Sequence, residues 1–145
     1  MAFLSSLNVA GSALTAQKLK MRVTAQNLAN SDTTAAGGAY VKKRVVFAER
    51  RVPADFKSRL SEAEKEIMSY GGVVAVAIEE DADAAVMEYD PDHPAANAQG
   101  YVQRPGIDTT EEMISMIEAS RMYEANITVF NAIKGMAQKA LEIGK

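Results

Sequence analysis

The sequence predicts a mainly α protein in which long N- and C-terminal helices form a coiled-coil seam around a small β-hairpin or three-stranded middle segment. Three observations predict it. Leu7, Leu14, Met21 and Leu28 recur every seven residues near the start. Near the end two such registers interleave: Met113, Ser120, Ile127 and Leu141 on one, with Lys134 interrupting, and Met116, Tyr123, Phe130 and Ala137 on the other. A seven-residue apolar repeat keeps one helical stripe facing a partner helix. The composition agrees, because 6% aromatics, no Trp and eight Met among 145 residues suit close helix packing better than a large ligand cavity. That length allows one ordinary domain, read here as a helix and turn over 1–34, a β-containing middle with flexible loops over 35–107, and a second helix over 108–145.

The first helix is predicted over residues 3–29, rich in Ala, Leu, Gln and Lys, with Gly11 its weak point. Asn30-Ser31-Asp32 are turn formers that stop it. Ala35-Ala36-Gly37-Gly38 reads as a flexible break, and Tyr40 to Ala48 as an edge strand ended by Pro53. Ala54 to Ser69 is polar and charged, a loop or weak helix. After Gly71-Gly72 a strand carries Val74, Val76 and Ile78 on one face. An acidic turn at Glu79 to Asp83 then leads to a second β run over Ala84 to Tyr89. Two β runs joined by a short polar link predict a hairpin, to which the Tyr40 to Ala48 strand adds a third member. Asp90 to Gly100 is a linker dense in Pro, Asp and Asn, and Pro105-Gly106 a further turn. The last helix begins at Asp108 or Thr109, with Thr109-x-x-Glu112 in capping-box form, and runs to Ile143 without a proline. Its roughly 52 Å exceeds what a globule of this size spans, so an elongated chain is expected.

Charge is unevenly spread. Residues 1–51 hold eight Lys or Arg against Asp32 and Glu49, whereas the remainder holds eight against seventeen acids, for a net charge of −3. Such polarity suits staggered contact between like subunits, or simply solvated faces.

Little chemistry is available to an enzyme. The chain has no Cys and one His, His93, so thiolate nucleophiles, disulfides and imidazole-rich metal sites are excluded and a Ser-His-Asp triad lacks support. Glu79-Glu80-Asp81-x-Asp83 lacks the glycine and terminal glutamate of an EF-hand loop, and neither Gly-Gly pair continues as a phosphate loop. No cofactor, metal or catalytic residue is expected. Lys42-Lys43-Arg44 with Arg50-Arg51 is the one passage with a nucleic-acid look, but residues 62–92 carry ten acids against Lys65, which favours a charged strand edge or subunit contact. Met1 to Ala16 lacks a basic start and its spacing continues to Leu28, so no cleaved signal peptide is expected. No run approaches the ~20 apolar residues of a membrane span.

Two stretches carry a resemblance. Asn27-Leu28-Ala29-Asn30-Ser31-Asp32-Thr33-Thr34 resembles the Asn-x-x-Ala-Asn-x-x-Thr signature that ends the N-terminal helix of bacterial flagellar axial proteins, the rod, hook and hook-associated proteins. Ser120-Arg121-Met122-Tyr123-Glu124-Ala125-Asn126 is similar to their C-terminal signature. Tyr40 to Phe47, Tyr89 to Pro94, and Gly100-Tyr101-Val102 with Pro105 narrow the resemblance to the proximal-rod members, as does the short middle. Pro105-Gly106-Ile107-Asp108 departs from the family's more usual Pro-Asn-Val-Asn.

The resemblance implies a structural subunit exported through the flagellar channel without processing. Its partners would be copies of itself and other rod proteins in a helical assembly crossing the periplasm and transmitting torque. The hook-basal-body junction protein and export apparatus are further implied partners, with neither nucleic acid nor membrane insertion. It also implies termini that stay disordered before assembly. The seam is expected to set Leu7, Leu14, Met21 and Leu28 against Met116, Tyr123, Ile127, Phe130 and Leu141, within and between subunits. The signature residues implied are Asn27, Ala29, Asn30 and Thr33 in the first helix end, and Arg121, Tyr123, Ala125 and Asn126 in the last helix. For Asn27, Asn30 and Asn126 two readings stand: buried polar positions that fix register, as in coiled coils, or, for the first two, residues that cap and turn the helix. A generic coiled-coil adaptor or scaffold explains the heptads alone, and a peripheral membrane helix explains the basic start. Neither explains both signatures.

Overall fold

The computed structural model describes residues 2–35, 38–50, 71–81 and 84–143. Eight elements follow in order: α1 (Ala2–Ala29), β1 (Thr34–Ala35), β2 (Gly38–Ala39), β3 (Lys42–Glu49), β4 (Val73–Asp81), β5 (Val86–Tyr89), β6 (Tyr101–Arg104) and α2 (Thr109–Ile143). The expected architecture of two long terminal helices around a small antiparallel β region is therefore present. The expected loop or weak helix over Ala54 to Ser69 lies outside the described residues.

Strand pairing differs from the expected hairpin. β4 does not fold back on β5; it pairs with β3, while β5 pairs with β6 and β1 with β2. Charge accounts for the first choice. Arg44 Nη2 lies 2.9 Å from Glu79 Oε2 and Lys43 Nζ 3.5 Å from Glu80 Oε1, while the Arg50 N–H donates to the Gly72 carbonyl at 2.7 Å. These pairs place the basic strand antiparallel to the acidic one. The uneven charge of the sequence is thus partly matched inside the chain.

For β5 the partner follows from the loop that precedes β6. Asn97 Oδ1 accepts the N–H groups of both Gln99 and Tyr101 at 2.9 Å, and the Asp90 N–H donates to the Gly100 carbonyl at 2.9 Å. The segment read as a linker is therefore a hydrogen-bonded loop, and it sets Tyr89 opposite Tyr101 and Val86 opposite Arg104. The two tyrosine rings meet edge to face with centroids 5.3 Å apart. His93 serves the same loop. Its Nδ1 accepts the Ala95 N–H at 3.1 Å, and Nε2 lies 3.5 Å from Thr34 Oγ1.

The chain divides into two compact units, Met1–Lys18 with Phe47–Val76 and Ser120–Lys145, and Leu19–Val46 with Ala77–Ala119. In the first, Ala10, Ala16 and Ile133 are buried, and Ser12 links helix to strand by donating to the Val9 carbonyl at 2.7 Å and accepting the Val73 N–H at 3.0 Å. Gly72, at φ 88°, lies so close that a Cβ there would overlap Ser12 Oγ and stand 3.2 Å from Val9 Cα. In the second unit Val23, Thr24, Asn27, Val102, Glu112 and Ala119 are buried. Enclosing Val102 contributes about 2 kcal/mol.

Along α2 Glu112, Met116, Ala119, Tyr123, Asn126, Phe130, Ile133 and Ala137 are all buried or half-buried and alternate steps of four and three, with Ser115, Ser120 and Gly135 half-buried beside them. That is one heptad seam, and Lys134 lies off it, which is why a lysine is tolerated there. The residues that accompany Met116, Tyr123 and Phe130 are one position earlier than the register through Met113, Ser120 and Ile127.

Candidate functional site: the signature corner and the helix faces

The first signature folds into a corner of the second unit. α1 ends because Asn30 closes it: its N–H donates to the Gln26 carbonyl at 3.1 Å and its Nδ2 donates to the same oxygen at 2.8 Å. Thr33 Oγ1 then donates to Asn30 Oδ1 at 3.2 Å, and Ser31 Oγ to the Leu28 carbonyl at 3.1 Å. These bonds satisfy carbonyls that a helix end leaves open. Asn30 and Thr33 have capping and turning roles, and Ala29 is exposed.

Asn27 has the other role. It is 2% exposed. Its Nδ2 donates to the Lys43 carbonyl at 2.8 Å and to Glu112 Oε2 at 3.2 Å, and its Oδ1 accepts the Lys43 N–H at 3.0 Å and the Tyr40 O–H at 3.1 Å. Both donors and both acceptor positions of the amide are used. One side chain therefore ties the end of α1 to the entry of β3 and the first turn of α2. Lys42 Nζ completes the cluster, 3.1 Å from Glu112 Oε1 and 3.8 Å from Glu111 Oε2. The Tyr40 hydroxyl is held above its usual range, first by burial and then by the Glu112 and Glu80 carboxylates, with Lys43 opposing. A retained proton is what its bond to Asn27 requires.

The start of α2 corrects the expected capping box. Glu112 turns to Asn27 and Lys42, and Asp108 is the cap, its Oδ1 accepting the Thr110 N–H at 2.8 Å and the Glu111 N–H at 3.3 Å. Those bonds, Thr110 first, hold its carboxyl below the ordinary 3.8. A depressed folded value means the stabilisation is complete above the unfolded pKa and is lost as pH falls through the folded one. The helix start should therefore weaken only below about pH 4. Asp108→Asn should remove this acid sensitivity while keeping the cap, as followed by circular dichroism against pH.

Of the expected seam residues, Leu7, Leu14, Met21, Leu28, Met116, Tyr123 and Phe130 are half-buried, whereas Ile127 is 37% and Leu141 74% exposed. In the second signature Arg121 and Ala125 are exposed and Tyr123 and Asn126 half-buried. Tyr40, Lys42, Lys43 and Glu112 were not foreseen as one cluster with Asn27. The available signal was an acid in the first turn of the last helix together with a basic strand following the signature.

No group of three or more potential metal ligands gathers among the described residues, and none of their helices is long and apolar enough to cross a membrane. Comparison with known proteins supplies the context. Residues 7–36 match the family model described as flagella basal body rod protein, and residues 98–143 the one described as flagellar basal body rod FlgEFG protein C-terminal. The first match spans the α1 signature and the second spans β6 and α2. Relatives named flagellar basal-body rod protein FlgC are 45% identical in Bacillus subtilis, over 97% of both chains, and 40% identical in Borreliella burgdorferi, over 99% of this chain and 98% of that one. The FlgC of Salmonella typhimurium is 37% identical over the whole of both chains. With both signatures in place and the likeness running end to end, the chain belongs to the FlgC family of flagellar basal-body rod proteins.

Proposed function

We propose that this chain is a structural subunit of the flagellar basal-body rod, acting without catalysis. The observation that carries the reading is the end-to-end likeness to FlgC proteins of distant bacteria. In its finer form the subunit lies in the proximal rod, where the shaft crosses the periplasm and transmits torque. It reaches that place unprocessed through the export channel, its termini unfolded until assembly. Its partners are copies of itself and other rod proteins, with the junction protein and export apparatus met along the way. Exposed Ile127 and Leu141 support seams that continue beyond one subunit.

Mass spectrometry of isolated basal bodies tests this. The chain should be enriched in shafts that keep the rod after hook and filament are removed; recovery only in the soluble cytoplasm would favour a coiled-coil adaptor instead. The seam is tested by Leu14→Asp, which sets a charge on a half-buried helix face. This variant should be absent from purified rods and the cells non-motile, whereas normal incorporation would remove Leu14 from the seam.

A further inference from the structure

Both helices carry a second seven-residue row that the single chain leaves outside. On α1 it runs Leu4, Gly11, Lys18, Ala25; on α2 it runs Glu111, Glu118, Ala125, Ala132. Leu4, Lys18 and Ala25 are exposed, as are all four α2 positions. Beside the α2 row Met122, Val129 and Met136 form an apolar flank, 58%, 50% and 61% exposed. Beside the α1 row lies exposed Arg22. Among the described residues Lys18, Arg22 and Glu118 have no ion-pair partner within the chain.

We infer that the outer row of α1 in one copy docks antiparallel on the outer row of α2 in a second copy. Both helices rise about 1.5 Å per residue, so two rows of equal repeat stay in step over three heptads, roughly 32 Å. Setting Lys18 against Glu118 brings Gly11 opposite Ala125 and Leu4 opposite Ala132, between Val129 and Met136. Arg22 then lies within a turn of both Glu111 and Glu118. Three of the four positions meet a complement, base to acid at Lys18, small to small at Gly11 and apolar to apolar at Leu4, while Glu111, opposite Ala25, has Arg22 as its nearby base. Gly11 has no atom within 4 Å of where a Cβ would be, which leaves room for close helix approach there. A second copy is the occupant because one chain bears both complementary rows on different helices. Where the contact is not returned by the same pair of copies it is heterologous, and repeating it extends a ring or an open helical row. This deepens the rod-subunit reading and rests on it only for where the contact operates.

The chain contains no Cys, so disulfide mapping is clean. A tagged Gly11→Cys chain and an untagged Ala125→Cys chain are co-expressed, and basal bodies isolated from those cells are treated with mild oxidant and resolved without reductant. The mixed disulfide should form several-fold more readily than with a Glu124→Cys chain, whose substitution sits at the same height but turned about 100° around the helix. Adding Lys18→Glu to the first chain should reduce the yield, and Glu118→Lys in the second should restore it. Raising the salt should also lower it, because exposed ion pairs are screened. A yield equal to the Glu124→Cys control, or one indifferent to the charge reversals, overturns the contact. In basal bodies carrying both the Gly11→Cys and the Ala125→Cys chains, exclusive crosslinking of the Gly11→Cys chain to a different protein would overturn a second copy as the occupant. The rod reading depends on basal-body content and is judged separately.

Discussion

Replacing Asn27 by Ala should unfold the signature corner at markedly lower denaturant. The amide makes four hydrogen bonds, and its removal leaves the Lys43 N–H, the Lys43 carbonyl, the Tyr40 hydroxyl and one oxygen of Glu112 without that partner, in a site where Glu112 is buried and Tyr40 and Lys43 are half-buried. Leaving buried partners unsatisfied costs about 1–3 kcal/mol for each group that cannot recover water. With partial rehydration the expected loss is about 3 kcal/mol, read as a lowered urea midpoint by circular dichroism. Asn27→Asp is the sharper probe. It keeps shape and both acceptor positions but replaces the donor by a second carboxylate beside Glu112, so it should destabilise at neutral pH and recover partly on acidification. An unchanged midpoint for both variants would mean that the corner is held by its backbone alone.

Gly106→Ala should have an effect at least as large, for a different reason. An added Cβ would overlap the Ala84 carbonyl oxygen and stand 2.7 Å from its carbon. Backbone atoms cannot rotate aside as a side-chain tip can, so either Ala84 or the turn before α2 must move. A loss above about 4 kcal/mol is expected, in the range reserved for disrupted packing or backbone strain. Gly135→Ala supplies the contrast. Nothing lies within 4 Å of its Cβ position, and a helical interior gains up to about 1 kcal/mol from that change. Thermal melts of the two variants should therefore shift in opposite directions. Equal shifts would refute the close approach at Gly106.

The helices were legible because they depend on local information. Heptad spacing, the Asn30-Ser31-Asp32 stop and the proline-free run to Ile143 predict spans close to those found, Ala2–Ala29 and Thr109–Ile143. Strand partners depend on pairing across distance, and there the sequence misled. β5 satisfies the local hairpin pattern with β4, but Glu79 and Glu80 find basic partners on β3, and Asn97 shapes a loop that delivers Tyr101 to Tyr89. β6 was hidden because Tyr101–Arg104 is only four residues between a glycine and a proline. Glu112 was misread for a related reason. Its spacing from Thr109 fits a capping box, yet a buried amide from the far end of the chain and the Lys42 ammonium offer its carboxylate more than one backbone N–H can.

The Asn27 corner also bears on the order in which the molecule can form. Asn27 and Glu112 are separated by 85 residues, so their bond closes a long loop whose entropic cost comes before any reward. A chain emerging from its N-terminus holds a helix end with an unmet amide until about three quarters of its length has been delivered. Topologies that rely on such distant contacts fold late and slowly compared with local ones. Were the subunit exported through a channel, as proposed above, a fold that closes only on late contacts would avoid jamming during passage. The lock engages when both ends are present together.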